Sequence, residues 1–373
     1  MPPSTLGDTP ASPLRIAVIG HHVAPIAPPF AGGVESFTWY LTRWLARRGH
    51  EVTLFAPPGS AVPGVDVHAL DLAPRITASA RADVSMPPDA FLGAHHAYQR
   101  LMLALAADGA YDVVHSHSLH YLPVALAPLV GAPMLLTLHT PPTPWLESAL
   151  SVADAAESLE ISAVSRSTER SWAPVLDVDE IVPNGVDLSA WPAGRGGPAA
   201  AWAGRMVREK APHLAIDAAK AAGLPLRLAG PVADPEYFVA QVAPRLGDGA
   251  EYLGHLGHEE LAEVVGGSCV ALMTPDWEEP FGLAAAEAIA TGTPVAAFAR
   301  GGLLDAIGPD AGRLAPPGDV DGLARAMREA ARLPRRGVRA HAERSLGIDA
   351  MGRRYEAWYR RVLAARSERL VAA

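Results

Sequence analysis

Short apolar runs alternate with amphipathic stretches along almost the whole chain. Residues 15–20 (RIAVIG) form the first run, the length of one buried strand. A loop rich in His and Pro follows, and from Val34 a helical pattern runs to Arg48. Gly49 ends it, because a residue without Cβ readily takes the conformation that closes a helix. Residues 51–56 (EVTLFA) make a second strand. Strand, helix and strand within about 40 residues imply a right-handed parallel crossover. Further strand candidates lie at 112–117 (DVVHSH), 133–139 (PMLLTLH), 161–165 (ISAVS) and 180–182 (EIV), with helical stretches between them. Residues 60–90 carry little pattern and are expected to be loop with one or two short elements.

The segment 190–198 (AWPAGRGGP) is dense in Gly and Pro and reads as a linker. After it the alternation restarts. Strands are expected at 200–204, 225–229, 251–253, 270–274 and 294–298, and helices near 211–222, 234–245, 258–266, 282–290 and 319–333. Residues 348–365 form an amphipathic helical tail. Alternation on both sides of a linker predicts an α/β protein of two doubly wound, Rossmann-like domains facing across a cleft. The expected boundaries are a flexible leader at 1–13, a first domain at 14–190 and a second at 198–350. Ligands of such sheets bind outside the carboxyl ends of the strands.

Composition narrows the class. The chain has 373 residues, and 31 Lys+Arg against 40 Asp+Glu give a net charge of −9. With 49% hydrophobic and 19% charged residues it forms a core rather than a disordered chain. The acidic balance argues against a general nucleic-acid binder, which shows a basic footprint. Cys269 is the single cysteine, which excludes a disulfide framework and a Cys-based zinc site and favours a reducing compartment. The apolar runs are far shorter than the roughly 20 residues a membrane span needs. The expectation is a soluble, cytoplasmic protein. Peripheral membrane contact stays open, because Arg43, Arg47 and Arg48 with Trp39 and Trp44 on the first helix could form a basic aromatic patch.

Candidate chemistry concentrates at strand ends. In 276–287 (DWEEPFGLAAAE) a strand finishes and a helix begins. A helix start leaves unpaired N–H groups and a partial positive charge, a ready anion site. Phe281, Gly282 and Leu283 would supply those groups. Glu279 precedes the helix and Glu287 lies further along it. Two carboxylates beside an anion site suit hydroxyl groups, such as those of a ribose or a sugar; as plain helix features they would be a cap and a solvated residue. After another strand comes 203–210 (AGRMVREK), where Arg205 and Lys210 could face one diphosphate, and Arg208 and Glu209 are expected in solvent. Gly32 and Gly33 open the first helix and admit close approach of backbone to a phosphate, or form an ordinary turn. They are not the dinucleotide fingerprint. His115 and His117 share a strand face, but no carboxylate or Cys joins them, so no metal site is expected. His139 ends a strand, where this fold places ligands. There is no nucleophile elbow and no Walker loop.

Taken together these pieces resemble family 4 of the retaining glycosyltransferases, whose two-domain fold is called GT-B. The likeness runs from Arg15 to about Ala365. It rests on GGVE at 32–35, TLHT at 137–140, VSR at 164–166, VPNGVD at 182–187, GRMVREK at 204–210 and EPFGLAAAE at 279–287. The last resembles the family's E-x7-E element. The resemblance implies a nucleotide-diphosphate-sugar donor, a UDP-sugar ahead of GDP-mannose, with Arg205 and Lys210 on the diphosphate and Glu287 on the ribose. Glu279 would face the donor sugar, Gly33 would let its loop close on the phosphates, and His139 would lie near the transferred hexose. It further implies retention of configuration without metal or other cofactor, and an acceptor that is a glycan, lipid or small metabolite. The loops after Gly20, at 60–100 and around 141–145 would hold that acceptor. A tail helix at about 351–373 would cross back to the first domain. The stretch 301–307 (GGLLDAI) departs from the family by lacking a Pro-Glu pair, with Asp305 in roughly the acidic place. A nucleotide-sugar epimerase of the same fold, or a non-catalytic nucleotide-sugar binder, are the competing readings.

Overall fold

A computed structural model describes residues 12–152 and 158–372. Most of the expected leader, 1–11, lies outside the described residues, as does Ala373. The first sheet contains β1 (Arg15–Ile19), β2 (Glu51–Ala56), β3 (Asp66–Ala69), β4 (Val113–Ser116), β5 (Met134–Leu138), β6 (Leu159–Ala163) and β7 (Glu180–Ile181). Their order is β3-β2-β1-β4-β5-β6-β7, and the pairings from β3 through β5 are parallel. The second sheet contains β8 (Ala200–Ala203), β9 (Leu226–Ala229), β10 (Ala250–Tyr252), β11 (Val270–Met273), β12 (Val295–Phe298) and β13 (Gly312–Ala315). Its order is β10-β9-β8-β11-β12-β13, parallel throughout. The fold is thus the expected α/β pair of doubly wound sheets.

The central strands are apolar without alternation because helices cover both faces of a parallel sheet. Every residue of β4, β5, β11 and β12 is buried. In each sheet the strand order reverses at one place, between β1 and β4 and between β8 and β11. The crevice at such a switch point is where a doubly wound sheet takes its ligand.

The chain divides into two compact units. The first holds the described residues up to Leu138, then Pro142–Ser162 and the chain from Tyr355 onward. The second holds His139–Pro141 and Ala163–Arg354. Residues 163–190, assigned from the sequence to the first domain, therefore go with the second unit. The final helix, Ile348–Ala372, is longer than the expected 348–365, and from Tyr355 it belongs to the first unit. There the Tyr359 hydroxyl meets His115 Nδ1 at 2.6 Å, and Tyr355 meets Thr137 at 3.3 Å.

Some local expectations need correction. Residues 234–245 are not one helix. An α turn at Pro235–Tyr237 passes into a π turn at Phe238–Val242 and a 3-10 turn at Ala243–Arg245. Pro244 has no N–H to continue an α ladder. The 60–90 region holds β3 and the helix Ala78–Arg81. Strand β13 and the helix Arg335–Ser345 lie where no element was expected. The basic aromatic patch does not present its tryptophans outward. Trp39 and Trp44 are buried, with Arg43 over the Trp39 ring at 4.8 Å and Arg48 over Trp44 at 5.7 Å. Among the described residues no helix is long and apolar enough to cross a membrane.

Candidate functional site

At the switch point of the second sheet, β8 hands on to the 204–210 loop and β11 to the 274–282 loop. Thr274, directly after β11, binds the two loops together. Its hydroxyl donates to the Lys210 carbonyl at 3.0 Å and receives the Trp202 indole N–H at 3.1 Å. The Asp276 amide donates to the Glu209 carbonyl at 2.7 Å.

The acidic loop is fastened residue by residue. Asp276 accepts from Arg300 at 3.1 Å, and Glu278 accepts from the Gly301 amide at 2.8 Å. The Glu279 carbonyl accepts from the Gly302 amide at 2.6 Å. The Pro280 carbonyl receives the Ser165 hydroxyl at 2.6 Å. Gly301 and Gly302 permit this closeness. A Cβ at Gly301, whose φ is +57°, would lie 2.1 Å from the Glu279 carbonyl oxygen. Asp305 turns the other way and accepts the Arg166 amide at 2.8 Å. The VSR and GGLLDAI segments therefore support the loop.

Within this frame Lys210 and Glu279 form a salt bridge through Nζ and Oε2. The same Oε2 accepts the Trp277 indole N–H at 3.2 Å, and Lys210 Nζ lies 5.2 Å over the Trp277 ring. Lys210 is thus held by a carboxylate and an aromatic face. Arg205 does not join it. Its guanidinium pairs with Glu209 at 2.9 Å, and both side chains are about half exposed, at 51% and 45%. Glu209 is thus a local partner of Arg205 as well as solvated. Arg208 lies 5.9 Å over the Tyr237 ring.

The helix Leu283–Ala290 starts at Gly282, whose φ of +92° suits glycine. Its Ala-rich face packs into the core, with Ala285, Ala286, Ala288 and Ile289 buried. Among the described residues the amides of Phe281, Gly282 and Leu283 donate to no protein acceptor. One turn on stands Glu287. Its carboxyl group has no partner among the described residues, and burial pushes its pKa from 4.5 up to about 8. A lone carboxyl beside free amides is an arrangement for a ligand bearing both hydroxyls and an anion.

His139 follows β5, is buried, and belongs to the second unit. Gly32 caps the helix Gly33–Arg47 in the first unit. His115 and His117 lie with ring centres 4.1 Å apart, and His115 bonds Tyr359 and Thr137 in the core. Among the described residues no group of three or more His, Cys, Asp or Glu is placed to hold a metal. Sequence reasoning missed Trp277, Ser165 and the supporting role of Gly301 and Gly302. The signal for Trp277 was its place two residues before Glu279 in DWEEPFG.

Two doubly wound parallel sheets, with a cationic loop, an acidic loop and a helix start meeting at the switch point of the second, are the architecture of the GT-B fold. Residues 31–190 match Glycosyltransferase Family 4, and residues 193–344 match Glycosyl transferases group 1. The chain is 29% identical to a glycogen synthase of Mycobacterium tuberculosis, over 84% of this chain and 85% of that one. It is 30% identical to a D-inositol 3-phosphate glycosyltransferase of Mycobacterium avium, over 88% and 90%. Among solved structures it resembles sucrose-phosphate synthase from Thermosynechococcus elongatus, with a TM-score of 0.74 at 23% identity over 94% of this chain and all of that one. An Anabaena protein in complex with UDP and glucose gives a TM-score of 0.69 at 15% identity over 92% and 98%. The chain belongs to family 4 of the glycosyltransferases and is a transferase that works with a nucleotide-sugar donor.

Proposed function

We propose that this chain is a retaining, metal-independent hexosyltransferase. It takes a hexose from a UDP-sugar, ahead of GDP-mannose, and delivers it to a hydroxyl of a glycan, lipid or small metabolite in the cytoplasm. The observation that carries the reading is the unpartnered Glu287 carboxyl beside the free amides of Phe281, Gly282 and Leu283. In the proposed complex those amides and Lys210 receive the diphosphate, and Glu287 takes the ribose hydroxyls. Arg205 leaves its exposed pairing with Glu209 to join them. Exposed pairs of this kind are weak, so the exchange costs little.

As the glycosidic bond breaks, negative charge grows on the leaving diphosphate, and preorganised cations there lower the barrier. Lys210 and Arg205 would supply the neutralisation that a divalent cation gives in metal-dependent enzymes. Once Lys210 turns to phosphate, Glu279 faces the donor sugar and stabilises positive charge at its reacting carbon. A donor phosphate oxygen takes the acceptor proton on the same face, which retains configuration. The complex of the Anabaena relative with UDP and glucose supports the choice of nucleotide.

Calorimetric titration with UDP, GDP, ADP and dTDP, each with and without EDTA, tests the donor. Tight UDP binding unaffected by EDTA is expected. Preference for another nucleotide, or loss with EDTA, refutes the donor or the metal independence respectively. Incubation with donor alone separates transfer from epimerisation, since an isomer formed without acceptor would mark an epimerase.

A further inference from the structure

Trp277 touches both charged members of the site at once. Its indole N–H donates to Glu279 Oε2 at 3.2 Å, and its ring lies 5.2 Å from Lys210 Nζ. Lys210 and Glu279 pair through Nζ and that same Oε2. One oxygen thus serves an ammonium and an indole, and one ring serves an ammonium and a carboxylate. The loop backbone is pinned on either side of the ring. The Asp276 amide donates to the Glu209 carbonyl at 2.7 Å, and Glu278 accepts the Gly301 amide at 2.8 Å. The place of Trp277 therefore does not depend on either partner alone.

The two holds differ in kind. A cation over a ring face has no fixed direction and is weakly held where water reaches it. The Lys210 side chain is 24% exposed. A diphosphate offers that ammonium full negative charge and draws it from the ring. The hold on Glu279 is directional, from a group that can only donate. The Glu279 side chain is 15% exposed. A carboxylate so far from water costs free energy unless something donates to it. Among the described residues Lys210 and Trp277 are the partners of that carboxylate. Once Lys210 leaves, the indole remains.

The acceptor also sets this indole apart. Trp39 and Trp172 donate to the backbone carbonyls of Ala61 and Thr140, and Trp202 donates to the Thr274 hydroxyl. Trp277 donates to a charged group, which makes the stronger and shorter-range restraint.

We propose that Trp277 is the positioning residue of the donor site. It gives Lys210 a loose seat that the diphosphate empties, and it keeps Glu279 aimed at the donor sugar afterwards. The role toward donor rests on the function proposed above; the survival of the indole–carboxylate bond without the ammonium does not.

Proton–nitrogen NMR of the indole N–H groups of the full chain tests it. The sequence has eight tryptophans, and the Trp277 signal is the one lost in Trp277→Phe or Trp277→Tyr. Glu279→Gln replaces the charged acceptor with a neutral one and should move that signal upfield. Lys210→Ala imitates the departed ammonium and should leave the signal at its carboxylate-bonded position, in slow exchange with water. Saturating UDP should leave it there too. Trp277→Phe keeps a ring face for Lys210 and removes the N–H. By calorimetry it should bind UDP within about twofold of wild type and UDP-glucose about three- to tenfold more weakly. An upfield, fast-exchanging signal in Lys210→Ala overturns the inference. So does an equal loss of UDP and UDP-glucose binding in Trp277→Phe shown by thermal melting to be folded. The Lys210→Ala arm leaves Trp277 itself untouched and decides the bond without that variant. A retained signal in Lys210→Ala, with no UDP binding by wild type, would sustain the indole–carboxylate bond and defeat the transferase reading.

Discussion

Glu287→Gln isolates the cost of holding a ligand-binding carboxyl without its ligand. Burial raises this group from 4.5 to about 8. Between those values the folded protein keeps a proton that the unfolded chain releases. Stability is therefore fully present below about pH 4.5 and falls as pH rises to about 8. At pH 7 the span above the unfolded value corresponds to roughly 3 kcal/mol. The side chain keeps some contact with water, and about 2 kcal/mol is the expected remainder. Glutamine keeps the shape and removes the ionisation. The variant should melt about 4–8 °C higher than wild type near pH 7. The advantage should nearly vanish at pH 5. Calorimetry across that range reads both ends. A gain independent of pH, or a loss at pH 7, would refute the reasoning. Nucleotide supplies a second arm. Ribose hydroxyls donating to the carboxylate favour its ionised form, so wild-type UDP affinity should rise with pH up to about 8. Glu287→Gln should bind UDP more weakly and lose the part of the rise that continues above the titration of the terminal phosphate, near about pH 6.

Other variants probe the same loops. Lys210→Ala removes a charge-assisted contact and should weaken UDP binding about ten- to a hundredfold by calorimetry. Glu279→Gln should lower kcat more than UDP affinity, and equal losses would mark Glu279 as a binding group only. Gly301→Ala drives a Cβ into the Glu279 backbone at a positive φ; a loss of more than about 2 kcal/mol in denaturant unfolding is expected, together with weaker UDP binding.

The parts legible in the sequence were those where one physical cause dominated. Strands β11 and β12, and β1 after its leading Arg15, are continuous apolar runs buried on both faces, while β2 shows itself by alternating buried with more open positions. Strand β13 (GRLA) and strand β3 (DVHA) are too short and polar to signal themselves, and are recruited by their neighbours' ladders. The helix Arg335–Ser345 reads as solvated, although Arg335 reaches inward to the carbonyls of Gly266 and Ser268. In the site, the E-x7-E segment announced itself by the helix start. The pairing of Arg205 with Glu209 was available from their four-residue spacing but was outweighed by the diphosphate reading. The contacts of Ser165 and Gly301 with the acidic loop join segments more than a hundred and some twenty residues apart in sequence, and no local pattern encodes them.

The division of the chain has a consequence for the order in which the protein is made. The second unit is nearly contiguous, from Ala163 to Arg354, with only His139–Pro141 supplied from earlier. The first unit is completed by residues from Tyr355 onward, which leave the ribosome after the whole of the second unit. Until they emerge, His115 and Thr137 lack the Tyr359 and Tyr355 hydroxyls that meet them in the core. Domains generally fold as units and amino-terminal first during synthesis. Here that order is reversed for completion: the amino-terminal sheet waits with an open seam while the later unit closes. A chain stopped at Arg354 would carry a finished second unit behind an unfinished first one, so the segment from Tyr355 onward sets when the first unit is completed.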